Sequence, residues 1–378
     1  MTRHVLSVAL LALGLVARGD EPKSFPAAKH GNGELKYIDK VPVLIVKGKP
    51  AEMGEQFGKL AIANAPDIEG LHARFLKDAG QEKRYPLIVA LSKSLKPSFP
   101  PHHAAEIEAA AKASHSDESL LLFANTIADL TSGMGCSTVV VEKGRSTTGK
   151  PIFGRIFDWQ PTKGITEHTL VVVYKGEGKR AFAAVTISPI EGVISGMNDA
   201  GLCVTMNEIG IKKSKEKQEF NRDGTPIVLA FRRVLEECGT VAEAETFLRG
   251  GQRTTTCCMT ICDKDGGAVF ELTPKGVEVR THENGVCCCT NHFRTDKLCL
   301  DSKCPRYEKL APLQAKDAPK LGVKDVIAEL DKVSQGTHTL QCMVFEPADR
   351  VLHLAYGPGP ATKLPPVKLD LGKLFDEK

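Results

Sequence analysis

The chain has 378 residues, 42% of them hydrophobic and 25% charged, an ordinary globular balance that excludes a disordered, collagen-like or multi-pass membrane protein. Lys plus Arg number 50 against 46 Asp plus Glu, and a formal net charge of +4 supplies no concentrated basic face for a nucleic acid. The length suits one large domain or two small ones, and the unusual counts are 12 Cys and 1 Trp.

The first residues carry a short basic start (Arg3, His4), an apolar run from Val5 to Ala17, and small residues at Ala17 and Gly19. A run this short falls below the roughly 20 apolar residues that span a bilayer. It is therefore expected to be a secretory signal, residues 1–19, leaving a mature protein with no membrane span that is secreted or periplasmic. Export would favour disulfides. Yet the cysteines at Cys257, Cys258, Cys262, Cys287, Cys288, Cys289, Cys299, Cys304 and Cys342 do not have the spacing of a small stapled scaffold, and no CxxC pair suggests a zinc site. Most are expected to be small buried hydrophobes on core strands, with one or two disulfides among them.

Residues 20–40 are polar and rich in Pro and Gly and read as a loose leader. A strand over Val41 to Val46 follows, and Glu52 to Gly58 opens a tract that is helical in pattern as far as Leu130, with Ser116 or Asp117 as N-cap of one helix. At Gly133-Met134-Gly135 the pattern turns to strands: Ser137 to Glu142, Leu170 to Tyr174, Phe182 to Ile187, Val193 to Met197 and Leu202 to Asn207. Pro226 to Glu237 and Val241 to Leu248 form a helical pair. Strands return at Thr255 to Cys262, Ala268 to Thr273, Gly276 to Arg280 and Val286 to Thr290. A helix around Val323 to Ser334 then precedes a hairpin, Thr339 to Phe345 with Val351 to Tyr356. Long antiparallel blocks around a helical pair predict an α/β layered domain of two stacked sheets with helices outside, rather than a doubly wound parallel sheet.

Cys136 stands apart from the other cysteines, at the mouth of a strand between Gly135 and Ser137. Arg155 and Asp158 follow in Gly154-Arg155-Ile156-Phe157-Asp158-Trp159, beside the only Trp. Asn207 closes one strand and Asn291 closes another in Thr290-Asn291-His292-Phe293. Singly, such residues are surface ion pairs and turn formers. Together and in this order they resemble the Cys-type N-terminal-nucleophile hydrolases, in particular the peptidase family containing acyl-coenzyme A:6-aminopenicillanate acyltransferase. Choloylglycine hydrolases and acid ceramidase look like more distant relatives. The resemblance runs over residues 45–360 and rests on Gly-Cys-Ser-Thr at 135–138, Gly-Arg-x-x-Asp-Trp at 154–159, Met-Asn-x-x-Gly-Leu at 197–202 leading to Asn207, and Thr-Asn-His-Phe at 290–293. Ser302 to Leu310, with Arg306, resembles the family's later Ser…Arg element. Ile156 departs from the pattern where relatives carry Asn, and so does Pro305 before Arg306.

The resemblance implies a four-layer αββα sandwich of two mainly antiparallel sheets. It also implies self-cleavage between Gly135 and Cys136, dividing the mature chain into a helical segment, 20–135, and a catalytic segment, 136–378. The freed α-amine of Cys136, titrating near ~8, can take a proton from the thiol or from water. Arg155 would favour the thiolate, Asp158 would hold the α-ammonium, and Asn207 and Asn291 would donate to the oxyanion, each worth roughly 3–4 kcal/mol. Arg306 would complete the charge arrangement. The expected substrate is a small-molecule amide, the expected partner the chain's own cleaved N-terminal segment, and the chemistry requires no cofactor and no metal. The competing readings are acyl transfer from a thioester donor, a papain-like Cys136/His292 pair, and a non-catalytic binding protein on the same fold.

Overall fold

Runs of β-branched and apolar residues bounded by glycine build two sheets in the computed structural model, which describes residues 25–377. The expected signal peptide, 1–19, lies outside the described residues. The larger sheet has ten strands, in the order Ala28–His30, Gly33–Ile38, Val41–Gly48, Thr169–Gly176, Phe182–Ile187, Ser195–Asn198, Cys203–Glu208, Cys257–Cys262, Gly267–Leu272 and Val277–Arg280. The smaller has six: Val286–Cys289, Gly135–Val141, Ile152–Asp158, Thr339–Glu346, Val351–Tyr356 and Val367–Asp370. Every neighbouring pair is antiparallel except Val41–Gly48 with Thr169–Gly176, where Val43 lies beside Val171.

The strand Gly135–Val141 shows how the layers form. Its side chains alternate between two faces, and nearly all are buried, so both faces must be covered. Cys136 and Val140 point into the core between the sheets. Val139 and Val141 point outward to Val326 and Leu330 of the helix Val323–Asp331. Beyond the ten-stranded sheet, the helices Pro50–Phe57 and Ile227–Glu237 pack against its strands, with Pro101–Ser114 against Pro50–Phe57. The result is a four-layer αββα sandwich. Asp117 caps the helix Glu118–Ala124 by accepting from the Ser119 amide, one of the two caps expected there.

Three features depart from the sequence reading. Residues 20–40 are not simply a loose leader, because Ala28–His30 and Gly33–Ile38 join the large sheet, so the segment before Cys136 is strand as well as helix. The expected disulfides are absent: all twelve thiols are free, eleven of them buried, as small hydrophobes would be. The motif around Arg155 is itself a strand, Ile152–Asp158, next to the strand that carries Cys136. No helix among the described residues is long and apolar enough to cross a membrane.

Candidate active site

Cys136 opens its strand opposite Phe157, and antiparallel register places Arg155 opposite Thr138 on the same face. Arg155 is buried and spans the two sheets. One terminal nitrogen donates to Cys136 Sγ at 3.0 Å, the other to the Ile194 carbonyl at 2.8 Å and to Ser195 Oγ at 2.6 Å. These carbonyl and hydroxyl acceptors fix the guanidinium plane beside the sulfur.

The backbone nitrogen of Cys136 donates to Asn291 Oδ1 at 2.9 Å. Arg306 reaches the same oxygen at 2.8 Å and also donates to the Cys136 carbonyl at 2.5 Å and to Ser137 Oγ at 3.1 Å. Pro305 does not displace it: it sits at the first position of the helix Pro305–Leu310, where its missing N–H costs nothing. Ile156 is equally accounted for, since it faces away from Cys136 into the outer apolar layer with Val326. The structure thus places Arg155, Asn291 and Arg306 each in direct hydrogen-bond contact with Cys136.

Two expected roles change in this uncut chain. The Asn291 amide N–H groups donate to the carbonyls of Met134 at 3.3 Å and Glu208 at 2.8 Å, so they are occupied rather than open to an oxyanion. Asp158 does not hold the Cys136 nitrogen. Its oxygens accept from Thr339 Oγ1 at 2.5 Å and Gln335 Nε2 at 2.7 Å, and Arg306 lies 3.9 Å away. Asn207 is arranged differently from Asn291. Its Oδ1 accepts from Thr138 Oγ1 at 3.1 Å, while its Nδ2 is buried with no partner, a donor left over in the space between the sheets. An orphaned buried donor is costly and unusual away from functional sites.

Burial pushes the Cys136 thiol up to about 11; Arg155 opposes this and Asp158 adds to it. Arg155 favours the thiolate, but desolvation outweighs the guanidinium in the uncut chain. His292 lines the neighbouring cleft, with no hydrogen bond to Cys136 among the described residues. Trp159 lies against Phe75 and Phe157 at the edge of a small apolar cavity of about 60 Å³, and Phe293 is buried in the core.

Sequence reasoning missed Glu208 and Gln335. The Glu208 carboxylate accepts from the amides of Met134 at 2.9 Å and Gly133 at 3.2 Å, tying down the residues just before Gly135, and burial raises its pKa to about 7. Gly133 has φ +148, a conformation that residues with side chains rarely adopt. A Cβ on Gly135 would collide with Gln335 Nε2 and crowd Asp158. Glu208 directly follows Asn207 at a strand end, a signal available in the sequence; nothing marked Gln335. Beside these groups opens a cleft of about 720 Å³, lined by Gly135, Asp129, Glu208, Asn291, His292 and Arg306. Cys136 lies fully buried beneath it.

A cysteine heading a strand in a four-layer αββα sandwich, with its sulfur on an arginine and its nitrogen on an asparagine, has the arrangement of an N-terminal-nucleophile hydrolase. Residues 145–359, more than half of the chain, match the family described as acyl-coenzyme A:6-aminopenicillanic acid acyl-transferase, and the chain belongs to that family. The match includes Arg155, Asp158, Asn207, Asn291 and Arg306, and begins beyond Cys136. No curated protein matches the chain. Solved structures similar to it include an N-acylethanolamine-hydrolyzing acid amidase ortholog from Caenorhabditis elegans, at 19% identity and a TM-score of 0.44, covering 56% of this chain and 93% of that one. A mutant conjugated bile acid hydrolase from Clostridium perfringens has 14% identity and a TM-score of 0.47, with 63% and 93% covered. Penicillin V acylase from Agrobacterium tumefaciens has 15% identity and a TM-score of 0.44, with 63% and 87% covered.

Proposed function

We propose that the chain cuts itself between Gly135 and Cys136 and becomes a cysteine amidohydrolase acting on linear amide bonds of N-acyl small molecules or short peptide-like compounds. The observation that carries this reading is the double hold on Cys136: Sγ on Arg155 at 3.0 Å and backbone nitrogen on Asn291 at 2.9 Å. Nucleophile and future amine are both positioned before the amine exists.

In self-cleavage the sulfur adds to the Gly135 carbonyl, the C–N bond breaks, and the thiol proton passes to the Cys136 nitrogen. Water then hydrolyses the thioester to a Gly135 carboxylate and a free thiol. Glu208 holds the Gly133 and Met134 amides in place for this step. In turnover, the free α-amine takes the thiol proton as sulfur adds to the substrate carbonyl, then passes it to the leaving amine; water resolves the acyl-thioester. Asn207 Nδ2 is the donor for the developing oxyanion.

Acyl transfer, in which an amine replaces water at the thioester, is the second reading, and the family's name favours it. The basic-then-apolar pattern of residues 1–19 favours hydrolysis, because a secreted or periplasmic enzyme seldom meets acyl-coenzyme A. Intact-mass analysis tests the proposal. Purified protein should give fragments starting near Asp20 and at Cys136, and Cys136→Ala should give one uncut chain. An uncut wild-type chain after prolonged incubation in folded form would overturn the reading. Acyl transfer from a thioester much faster than amide hydrolysis would reverse the choice of reaction.

A further inference from the structure

Away from the cleft, the helices Pro101–Ser114 and Ile227–Glu237 meet over a knot of buried charge. Arg232 donates to both oxygens of Glu106 at 2.9 and 2.6 Å and through Nε to Glu236 Oε1 at 2.8 Å, and its guanidinium lies 4.3 Å over the Tyr174 ring. Glu191 is buried beside Glu106, and burial together with that neighbouring carboxylate holds its carboxyl well above the usual carboxylate range. The carboxylates of Glu106 and Glu236 therefore share one buried guanidinium. Lys179 and Arg180, at the rim, are already paired with Glu237 and Asp199. Excess negative charge held away from water calls for another cation.

The geometry shows where that cation fits. Arg232 occupies Glu236 Oε1, and the other oxygen, Oε2, lies 3.0 Å from Nε2 of His102 and 3.0 Å from Nε2 of His103. Consecutive helical positions ordinarily project about 100° apart, yet these two imidazoles converge, with ring centroids 4.1 Å apart. All three ligand atoms lie within 4.8 Å of one another. Ligands at ~2.0–2.1 Å from a tetrahedral zinc are about 3.3 Å apart, so the two His–Glu236 separations would need to open by a few tenths of an ångström. A cavity of about 90 Å³ opens beside His102 and Glu236, with Lys179, Arg180 and Arg232 also in its wall, and has room for a water.

We propose that His102, His103 and Glu236 bind a divalent transition cation of the zinc class, with water as fourth ligand. Arg232 Nε orients the carboxylate, as outer hydrogen bonds do for metal-bound carboxylates. The ion joins a helix before Cys136 to a helix after it and is a structural clip, remote from the reacting sulfur. The proposal does not depend on the cleavage reading.

Cobalt substitution tests it. Full-length protein stripped with a chelator and titrated with Co²⁺ should take up one equivalent. It should show the visible bands of tetrahedral cobalt without a thiolate charge-transfer band, and zinc should displace them. His102→Ala, at the partly exposed ligand, should keep its metal-free melting curve and bind zinc at least about 100-fold more weakly; His103→Asn should do the same if folded. Absence of the bands in the wild-type protein would assign the balancing charge to a protonated His102 and overturn the site. So would a thiolate band, or unchanged affinity in His102→Ala.

Discussion

Asn207 spends its carbonyl on Thr138 and leaves its amide free in the core. That imbalance is expensive in a resting protein and useful when an oxyanion forms within reach. Asn207→Ala should therefore lower kcat by about 10²–10³-fold with little change in KM, measured on any amide the enzyme hydrolyses. Glu208 and Asp129 are the carboxyl groups of the cleft that burial raises to about 7. A carboxyl with a folded pKa above its unfolded value binds more protons when folded. Its stabilisation is complete below the unfolded value of about 4.5 and is lost as pH rises through 7, a term on the order of 3 kcal/mol for Glu208. Buried His103 and His168, lowered to about 3 and about 4, act in the opposite sense over part of the same range. In uncut Cys136→Ala protein, adding Glu208→Gln should therefore favour the folded state more at pH 7.5 than at pH 5, and an equal effect on melting at both pH values would contradict the assignment. The grouping of Cys136 with Arg155, Asn291 and Arg306 was legible because chemistry-bearing types follow one another along the chain in a characteristic order. Gln335 was not, since its role depends on a glycine at 135 that admits it beside Asp158.

Strands were legible wherever β-branched runs stood between glycines, as in Phe182–Ile187, whose limits match the reading from sequence. Ile152–Asp158 escaped that pattern because Gly154, Arg155 and Asp158 interrupt it. The interruptions have separate causes: Arg155 reaches toward the opposite sheet, while Gly154 makes room for a helix. A Cβ at Gly154 would run into Val326 Cγ1 and Leu330 of the helix Val323–Asp331. Gly154→Ala should cost about 1–3 kcal/mol in urea unfolding of the uncut chain, and Val326→Ala in the same chain should recover part of it. The strands Ala28–His30 and Gly33–Ile38 escaped for a different reason. Lys29, Glu34 and Lys36 give them a polar face, and their strand character comes from pairing with Val41–Gly48 at the sheet margin.

Across the whole molecule, the segment before Cys136 is woven into the rest. Its strand Val41–Gly48 runs parallel to Thr169–Gly176, its Glu106 is bound by Arg232, and its Asn125 side chain accepts from the amides of Glu191 and Gly192. After cleavage the two pieces should co-elute in equal amounts by native size exclusion and separate only in denaturant; an early loss of the smaller piece would contradict this topology. The same weave imposes a timetable. Arg306, Gln335 and Thr339, which hold Cys136 and Asp158, all come from the last quarter of the chain. A polypeptide still on the ribosome lacks them, so the proposed self-cleavage should wait until synthesis is nearly done.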